Sequence, residues 1–207
     1  MEPFKRLHGV ALALELPNID TDQIIPARFL WRPRAAGYGD LLFNDLRYAP
    51  DGTANPAFAL NQARYQGARV LVADRNFGCG SSREQAVWAL YDAGFRAVIA
   101  PSFGDIFYNN CCQQGVLPVV LPEAQVLALR AAIAPPGSAL TVDLETLSVT
   151  GPGGFLATFE MAAFQRRQLL DGIDDVGLTM ASIAAIAAFE AAYDRDLPWL
   201  SARPAVL

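Results

Sequence analysis

Arg69–Gly94 reads RVLVADRNFGCGSSREQAVWALYDAG: a strand, a glycine-rich turn and a helix in one unbroken run. RVLVAD is a short β-branched segment ending in loop residues, which predicts a buried strand. Downstream, Ala86, Val87, Leu90 and Tyr91 fall at helical spacing, and Gly94 is a C-terminal stop. Between them stand two glycines, two serines and an Arg-Glu pair. In open α/β sheets, ligands bind at such a position, outside the carboxyl end of a strand.

The flanking sequence repeats the alternation. RAVIA (Arg96–Ala100) is a second strand, closed by Pro101. SFGDIFYNNCCQQG reads as a loop and a short helix ending at Gly115, with Asn109 and Asn110 on the helix. VLPVVL (Val116–Leu121) is a third strand. Strands alternating with helices predict parallel βαβ units with right-handed crossovers. ALTVDLETLSVTGPGGFLATFE differs. Its apolar residues alternate (Val142, Leu144; Leu147, Val149) around a Gly-Pro-Gly-Gly turn, predicting antiparallel strands. The N-terminal MEPFKRLHGVALALELP carries Glu2, Glu15 and an early proline, so it reads as a strand and not as a signal peptide. SIAAIAAFEAAYDRD is an Ala-rich amphipathic helix, and LWRPRAAGYGD (Leu30–Asp40) is a mobile loop. The expectation is one mixed α/β domain over 1–207, with a parallel core, antiparallel additions and a helical tail from about 160 to 207.

Composition narrows the function. A net charge of −5 disfavours nucleic acid, which requires clustered Lys and Arg. No stretch reaches the ~18 uninterrupted apolar residues of a membrane span. Three cysteines, two of them adjacent, make no disulfide framework and point to a reducing, cytoplasmic setting. His8 is the single histidine, so any His-based triad or His-ligated zinc site would have to use it.

Gly78 and Gly80 permit a tight turn and a close approach to a ligand. Ser81-x-x-Glu84 and Ser82-x-x-Gln85 both match the capping box, which predicts a helix starting there. First-turn amides and the helix dipole make an anion site, and Arg83 adds a bidentate donor. The alternative is an ordinary helix start with a solvated Arg-Glu pair. The turn is neither a Walker loop, since Lys is missing, nor a dinucleotide fingerprint, since the third Gly is absent.

FGCGSSREQA, IAPSFGDIFYNNCCQQGVLPV (Ile99–Val119) and NIDTDQIIPARFL (Asn18–Leu30) together resemble the small subunits of 3-isopropylmalate dehydratases. These correspond to the swivelling C-terminal domain of the aconitase superfamily, with its β/β/α fold. The resemblance runs from about Phe4 to the end and includes LLFNDLRY and LLDGIDDVGLT. It implies a hydro-lyase of leucine biosynthesis that interconverts 2- and 3-isopropylmalate by removing and re-adding water. It implies Ser81 as the base at carbon, with Ser82 and Arg83 on the substrate carboxylates. Asp22 matches the superfamily's active-site Asp, though it reads equally as an Asx-turn residue. Arg32 lies where the superfamily brings in a substrate Arg, with Arg28 and Arg34 as competitors. Leu30, Trp31 and Tyr38 are candidate contacts to the substrate's alkyl group.

The superfamily's [4Fe–4S] cluster uses three thiolates. Cys111 and Cys112 are adjacent and Cys79 is distant, so the expectation is no cluster or metal on this chain. A separate large subunit would carry the cluster. Where the family commonly has S-S-R-E-H, this chain has Gln85, and Trp31 takes the place of a usual Lys. A related substrate (citramalate, homoaconitate or dimethylmaleate) is therefore the second reading. A non-catalytic anion-binding module and a purely structural domain are the other classes.

Overall fold

A computed structural model describes residues 1–201 of the chain. Seven strands form one sheet: β1 Arg6–Ala13, β2 Val70–Val72, β3 Ala97–Ala100, β4 Leu117–Val120, β5 Ala139–Asp143, β6 Ser148–Thr150 and β7 Leu156–Thr158. Their order is β4-β3-β2-β1-β5-β6-β7. The pairs from β4 through β1 are parallel, and those from β1 through β7 are antiparallel. Parallel core and antiparallel additions thus meet at β1, whose N-terminal half pairs with β5 and whose C-terminal half pairs with β2.

The helices are α1 Thr21–Ile24, α2 Asn44–Arg47, α3 Glu84–Asp92, α4 Asp105–Gln114, α5 Glu123–Ala132, α6 Ala163–Asp171, α7 Asp175–Ala181, α8 Ile183–Asp196 and α9 Pro198–Ser201. The sheet has a core on each face because successive side chains of a strand alternate. Leu71, Val98 and Ala100 pack with Ala86, Val87 and Leu90 of α3. Val70, Val72, Ala97 and Ile99 pack with Val126 and Leu129 of α5 and Leu169 of α6. α4 serves both faces, giving Phe107 and Cys111 to the first core and Cys112 to the second. It ends as its sequence predicts, on Gly115 in the left-handed conformation.

The chain divides into two compact units, Met1–Gly172 and the residues from Ile173 onward. α6 buries Gln168 and Leu169 and lies within the first unit. Residues 202–207 of the expected tail lie outside the described residues. Within the second unit α7 and α8 bury no side chain, and Val176, Met180, Phe189 and Trp199 are exposed. Among the described residues no single helix is long and apolar enough to cross a membrane.

The Leu30–Asp40 segment is anchored, contrary to the expectation of a mobile loop. Arg34 donates to both oxygens of Asp92 on α3 at 2.6 and 2.8 Å, and the Tyr38 N–H donates to the same carboxylate at 2.8 Å. Tyr38 is fully buried, edge-on to Trp88, and its hydroxyl donates to the Arg32 carbonyl. Gly39 lies against the Asp92–Ala93 backbone, where a Cβ would stand 2.7 Å from the main chain.

Candidate active site at the carboxyl ends of the parallel strands

The segments that leave β1, β2 and β3 converge at the carboxyl edge. The Gly78 N–H donates to the Ile19 carbonyl at 2.7 Å, and the Thr21 N–H donates to the Cys79 carbonyl at 2.9 Å. Asp20 and Cys79 form a parallel bridge, as do Phe77 and Phe103. The turn from Phe77 to Arg83 is therefore clamped between the start of α1 and the loop before α4. A cleft of roughly 260 Å³ opens there, lined by Thr21, the turn from Gly78 to Arg83, and Gly104 to Phe107 at the head of α4.

The capping expectation is overturned. α3 begins at Glu84, with extended backbone at Arg83 (φ −143°, ψ 108°) and no side-chain cap. Neither serine side chain caps the helix, and the Ser81 carbonyl accepts a hydrogen bond from the Thr21 hydroxyl at 2.8 Å. Both serines are exposed. Among the described residues, no acceptor takes the N–H groups of Ser81, Ser82 or Arg83. The turn thus presents two hydroxyls and a run of donors at the positive end of α3. The capping box stands instead on α1. The Gln23 N–H donates to Asp20 at 2.8 Å, and the Asp20 N–H donates to the Gln23 side chain at 3.0 Å. The Asp-x-x-Gln spacing in IDTDQ carries that signal.

The two glycines differ in role. Gly80 is exposed in the cleft with φ +93°. Gly78 is buried, and a Cβ there would stand 2.2 Å from the Phe107 ring, so its close approach is to α4 and not to a ligand. The head of α4 is a part of the cleft that the sequence pattern did not mark. Its N-cap, Gly104, has no side chain to cover the first amides.

Asp22 and Arg83 meet. Arg83 donates from both terminal nitrogens to the Asp22 carboxylate, one bond at 2.8 Å, and to the Ile25 carbonyl at 3.5 Å. The Arg83 hydrogen bonds and charge hold the Asp22 carboxyl below its ordinary range. The three loop arginines do not line the cleft. Arg32 is held by Asp40 at 3.1 Å and by the Ala36 carbonyl, Arg28 by Asp45 and Asn44, and Arg34 by Asp92. Each meets an acid in its own neighbourhood that the sequence pattern does not pair with it. Trp31 is 81% exposed and Leu30 half-buried, whereas Tyr38 supports the segment from within the core. His8 lies on β1, bonded to Thr141 at 2.9 Å, outside the cleft. Glu84 and Gln85 open α3.

The cysteine thiols do not come together as a cluster's ligand set: Cys111 and Cys112 are closed into the two different cores, and Cys79 lines the cleft. Burial pushes Cys111 well above its ordinary value and Cys112 up to about 12. Among the described residues no group of three or more His, Cys, Asp or Glu could hold a metal ion.

Residues 1–124 match the Aconitase C-terminal domain, and residues 175–203 match the C-terminal domain of the 3-isopropylmalate dehydratase small subunit. The 3-isopropylmalate dehydratase small subunit of Dinoroseobacter shibae is 49% identical, over 97% of this chain and all of its own. That of Leptospira interrogans is also 49% identical, over 98% of this chain and all of its own. The crystal structure of 3-isopropylmalate dehydratase from Methanocaldococcus jannaschii superposes with a TM-score of 0.64 at 25% identity, covering 88% of this chain and 98% of that one. The near-complete alignment with these relatives and the Aconitase C-terminal match over more than half of the chain show that it belongs to the 3-isopropylmalate dehydratase small-subunit family.

Proposed function

We propose that this chain is the small half of a cytoplasmic 3-isopropylmalate dehydratase, with Ser81 as the base at carbon and Arg83 as the carboxylate clamp. The supporting observation is the uncapped turn: Ser81 stands exposed two residues before Arg83, whose guanidinium is oriented by Asp22, and the N–H groups of Ser81, Ser82 and Arg83 have no partner among the described residues. A free serine hydroxyl is far too weak an acid to ionise at neutral pH. Unpartnered amides, the α3 dipole and Arg83 all favour the alkoxide. Arg83 and the Ser82 hydroxyl hold a substrate carboxylate so that the adjacent C–H faces Ser81. Ser81 Oγ takes that proton, the C–O bond on the neighbouring carbon breaks, and the departing hydroxide takes a proton from solvent to become water, leaving the unsaturated dicarboxylate. In the second half a water gives that proton back to solvent as its oxygen adds to the carbon that lost its hydrogen, and Ser81 returns its own proton to the carbon that lost its hydroxyl.

The cleft is smaller than the ~300–1,000 Å³ of a complete ligand pocket. That supports a half-site completed by a large subunit, on which this reading also places the [4Fe–4S] cluster, since the thiols of this chain do not fit one. The exposed apolar residues of α7 and α8 supply surface suited to that partner. Asp22 orients Arg83, and the Leu30–Asp40 segment reads the alkyl group through Leu30 and Trp31. Arg32 supports that segment through Asp40. Trp31, where the family commonly has Lys, favours a related substrate (citramalate, homoaconitate or dimethylmaleate) as the second reading.

The test is anaerobic co-expression with the large subunit and assay over 2-isopropylmalate, citramalate and homoaconitate. Ser81→Ala should abolish turnover and leave assembly intact. Full turnover in Ser81→Ala together with its loss in Ser82→Ala would move the base by one residue. Full turnover in both would reduce the turn to a structural element.

A further inference from the structure

Three consecutive residues at the head of α1 grip alternate residues of the site turn. Asp20 bridges Cys79 and the Thr21 N–H takes its carbonyl; the Thr21 hydroxyl takes the Ser81 carbonyl; the Asp22 carboxylate takes the Arg83 fork. The middle grip is made by a buried side chain. Thr21 is 2% exposed, and its Oγ1 donates across 60 residues of sequence to Ser81 at 2.8 Å. A buried hydroxyl needs a partner. At the first turn of α1 there is no intrahelical carbonyl four residues back to accept it, and the carbonyl it has found belongs to the residue placed at the chemical step.

We propose that Thr21 is the positioning residue of Ser81, a role that rests on the reading of Ser81 as the base. The peptide unit between Ser81 and Ser82 is planar and trans, so its C=O and N–H point in opposite directions. Holding the carbonyl on Thr21 fixes that plane. It sets the direction of the Ser81 Cα–Cβ bond, and it turns the Ser82 N–H, which has no partner among the described residues, to the opposite side. Gly80 precedes this unit at φ +93° and both serines are exposed, so little else in the turn holds the plane. Removing the donor frees the Ser81 hydroxyl to rotate off line without removing any group that touches substrate.

The experiment uses the assembled two-subunit enzyme with Thr21→Val, Thr21→Ala and Thr21→Ser, assayed for kcat and KM with 2-isopropylmalate, with the melting temperature of each variant. A displacement of about 1 Å at a reacting group costs on the order of 100-fold. Val and Ala, which lack the donor, should lower kcat by about 10- to 100-fold with KM little changed. Ser, which keeps it, should recover most of kcat even though it lacks the methyl group. Wild-type kcat in Thr21→Val overturns the proposal, as does a fall shared equally by Ser and Ala that follows their melting temperatures. If Thr21→Val fails to assemble, the Ser–Ala pair decides, since the two differ only in the hydroxyl. Ser81→Ala in the same assay separates the two readings. If it is active, the assignment of Ser81 falls; if it is inactive while Thr21→Val is normal, only the role of Thr21 falls.

Discussion

Asp22 accepts hydrogen bonds from both terminal nitrogens of Arg83, 61 residues further along the chain. The acid is half exposed and the guanidinium largely covered, at 54% and 13% of their side-chain surface. Such a pair contributes little to stability, about 0–1 kcal/mol, but it fixes the plane of the Arg83 fork. Asp22→Asn keeps an acceptor and removes the charge. The melting temperature should fall by less than about 4 °C, and the specificity constant of the assembled enzyme by about tenfold or more. Melting curves and steady-state kinetics on one preparation check both. Unchanged kinetics would show that Ile25 and the turn alone orient Arg83.

The same pair sets an acid limit. Asp22 and Asp45 titrate below the carboxylate value of 3.8, chiefly through hydrogen bonds from Arg83 and Arg28. At Asp74 burial pushes upward, but the Arg75 amide and Arg130 outweigh it, and this carboxyl too is lowered. A depressed folded value contributes stability fully above the unfolded value, and that contribution is lost as pH falls through the folded value. These groups should leave stability flat from pH 5 to 8 and lower it below about pH 4. Urea midpoints from pH 3 to 7 measure this, and Asp22→Asn should show a shallower fall.

Gly78→Ala should destroy the folded site. Its Cβ would meet the Phe107 ring at 2.2 Å, on backbone with φ +73°. Gly104→Ala meets the Gly78 carbonyl at 2.6 Å. Both clashes are with core ring or backbone, so a cost above about 4 kcal/mol is expected, read as loss of soluble yield or of the melting transition. Gly80→Ala has its nearest neighbours at 3.4 Å or more and should cost less, through φ alone.

These glycines show what is legible in the sequence. Periodicity and stop signals act within one element, so the apolar face of α3, the end of α4 at Gly115 and the alternation in β5 and β6 can be read directly. The turn stands out in the sequence, but its geometry depends on partners some 60 residues away. Two serines with capping-box spacing do not cap, and one of them has its carbonyl bonded to Thr21, 60 residues away. Gly78 has the pattern of a ligand approach and is a packing contact with Phe107. Tyr38 has the pattern of a surface contact and is buried. Arg32 has no evident local partner and is paired with Asp40. In each case local pattern names the residue, and a contact outside that pattern decides its role.

Trp31→Lys tests the selectivity segment. An 81% exposed side chain makes few contacts, so stability should stay within about 0.5 kcal/mol. One methylene in an apolar pocket is worth roughly 1–3 kcal/mol. The ratio of specificity constants for 2-isopropylmalate over citramalate should shift by several-fold, with smaller change in kcat. If both constants fall together at a fixed ratio, the segment gates access or docks the large subunit and does not read the alkyl group.

The three thiols should report folding. Cys111 is fully buried and Cys112 nearly so, and burial raises both, Cys112 to about 12. Cys79 is only partly covered, its Sγ 3.7 Å from the Asn18 carbonyl, and burial and the charge of Asp20 raise it as well. Reaction with a disulfide reagent requires both thiolate and access. At pH 8 the native chain should therefore release the equivalent of one thiol, slowly, and all three on unfolding in urea. Cys79→Ser should remove the native signal and leave two in the unfolded state. Because Cys79 lines the cleft, a saturating dicarboxylate should slow its modification in the assembled enzyme. Rapid modification of two thiols in the native chain would mean that α4 opens from the sheet, since Cys111 and Cys112 are closed into the two cores.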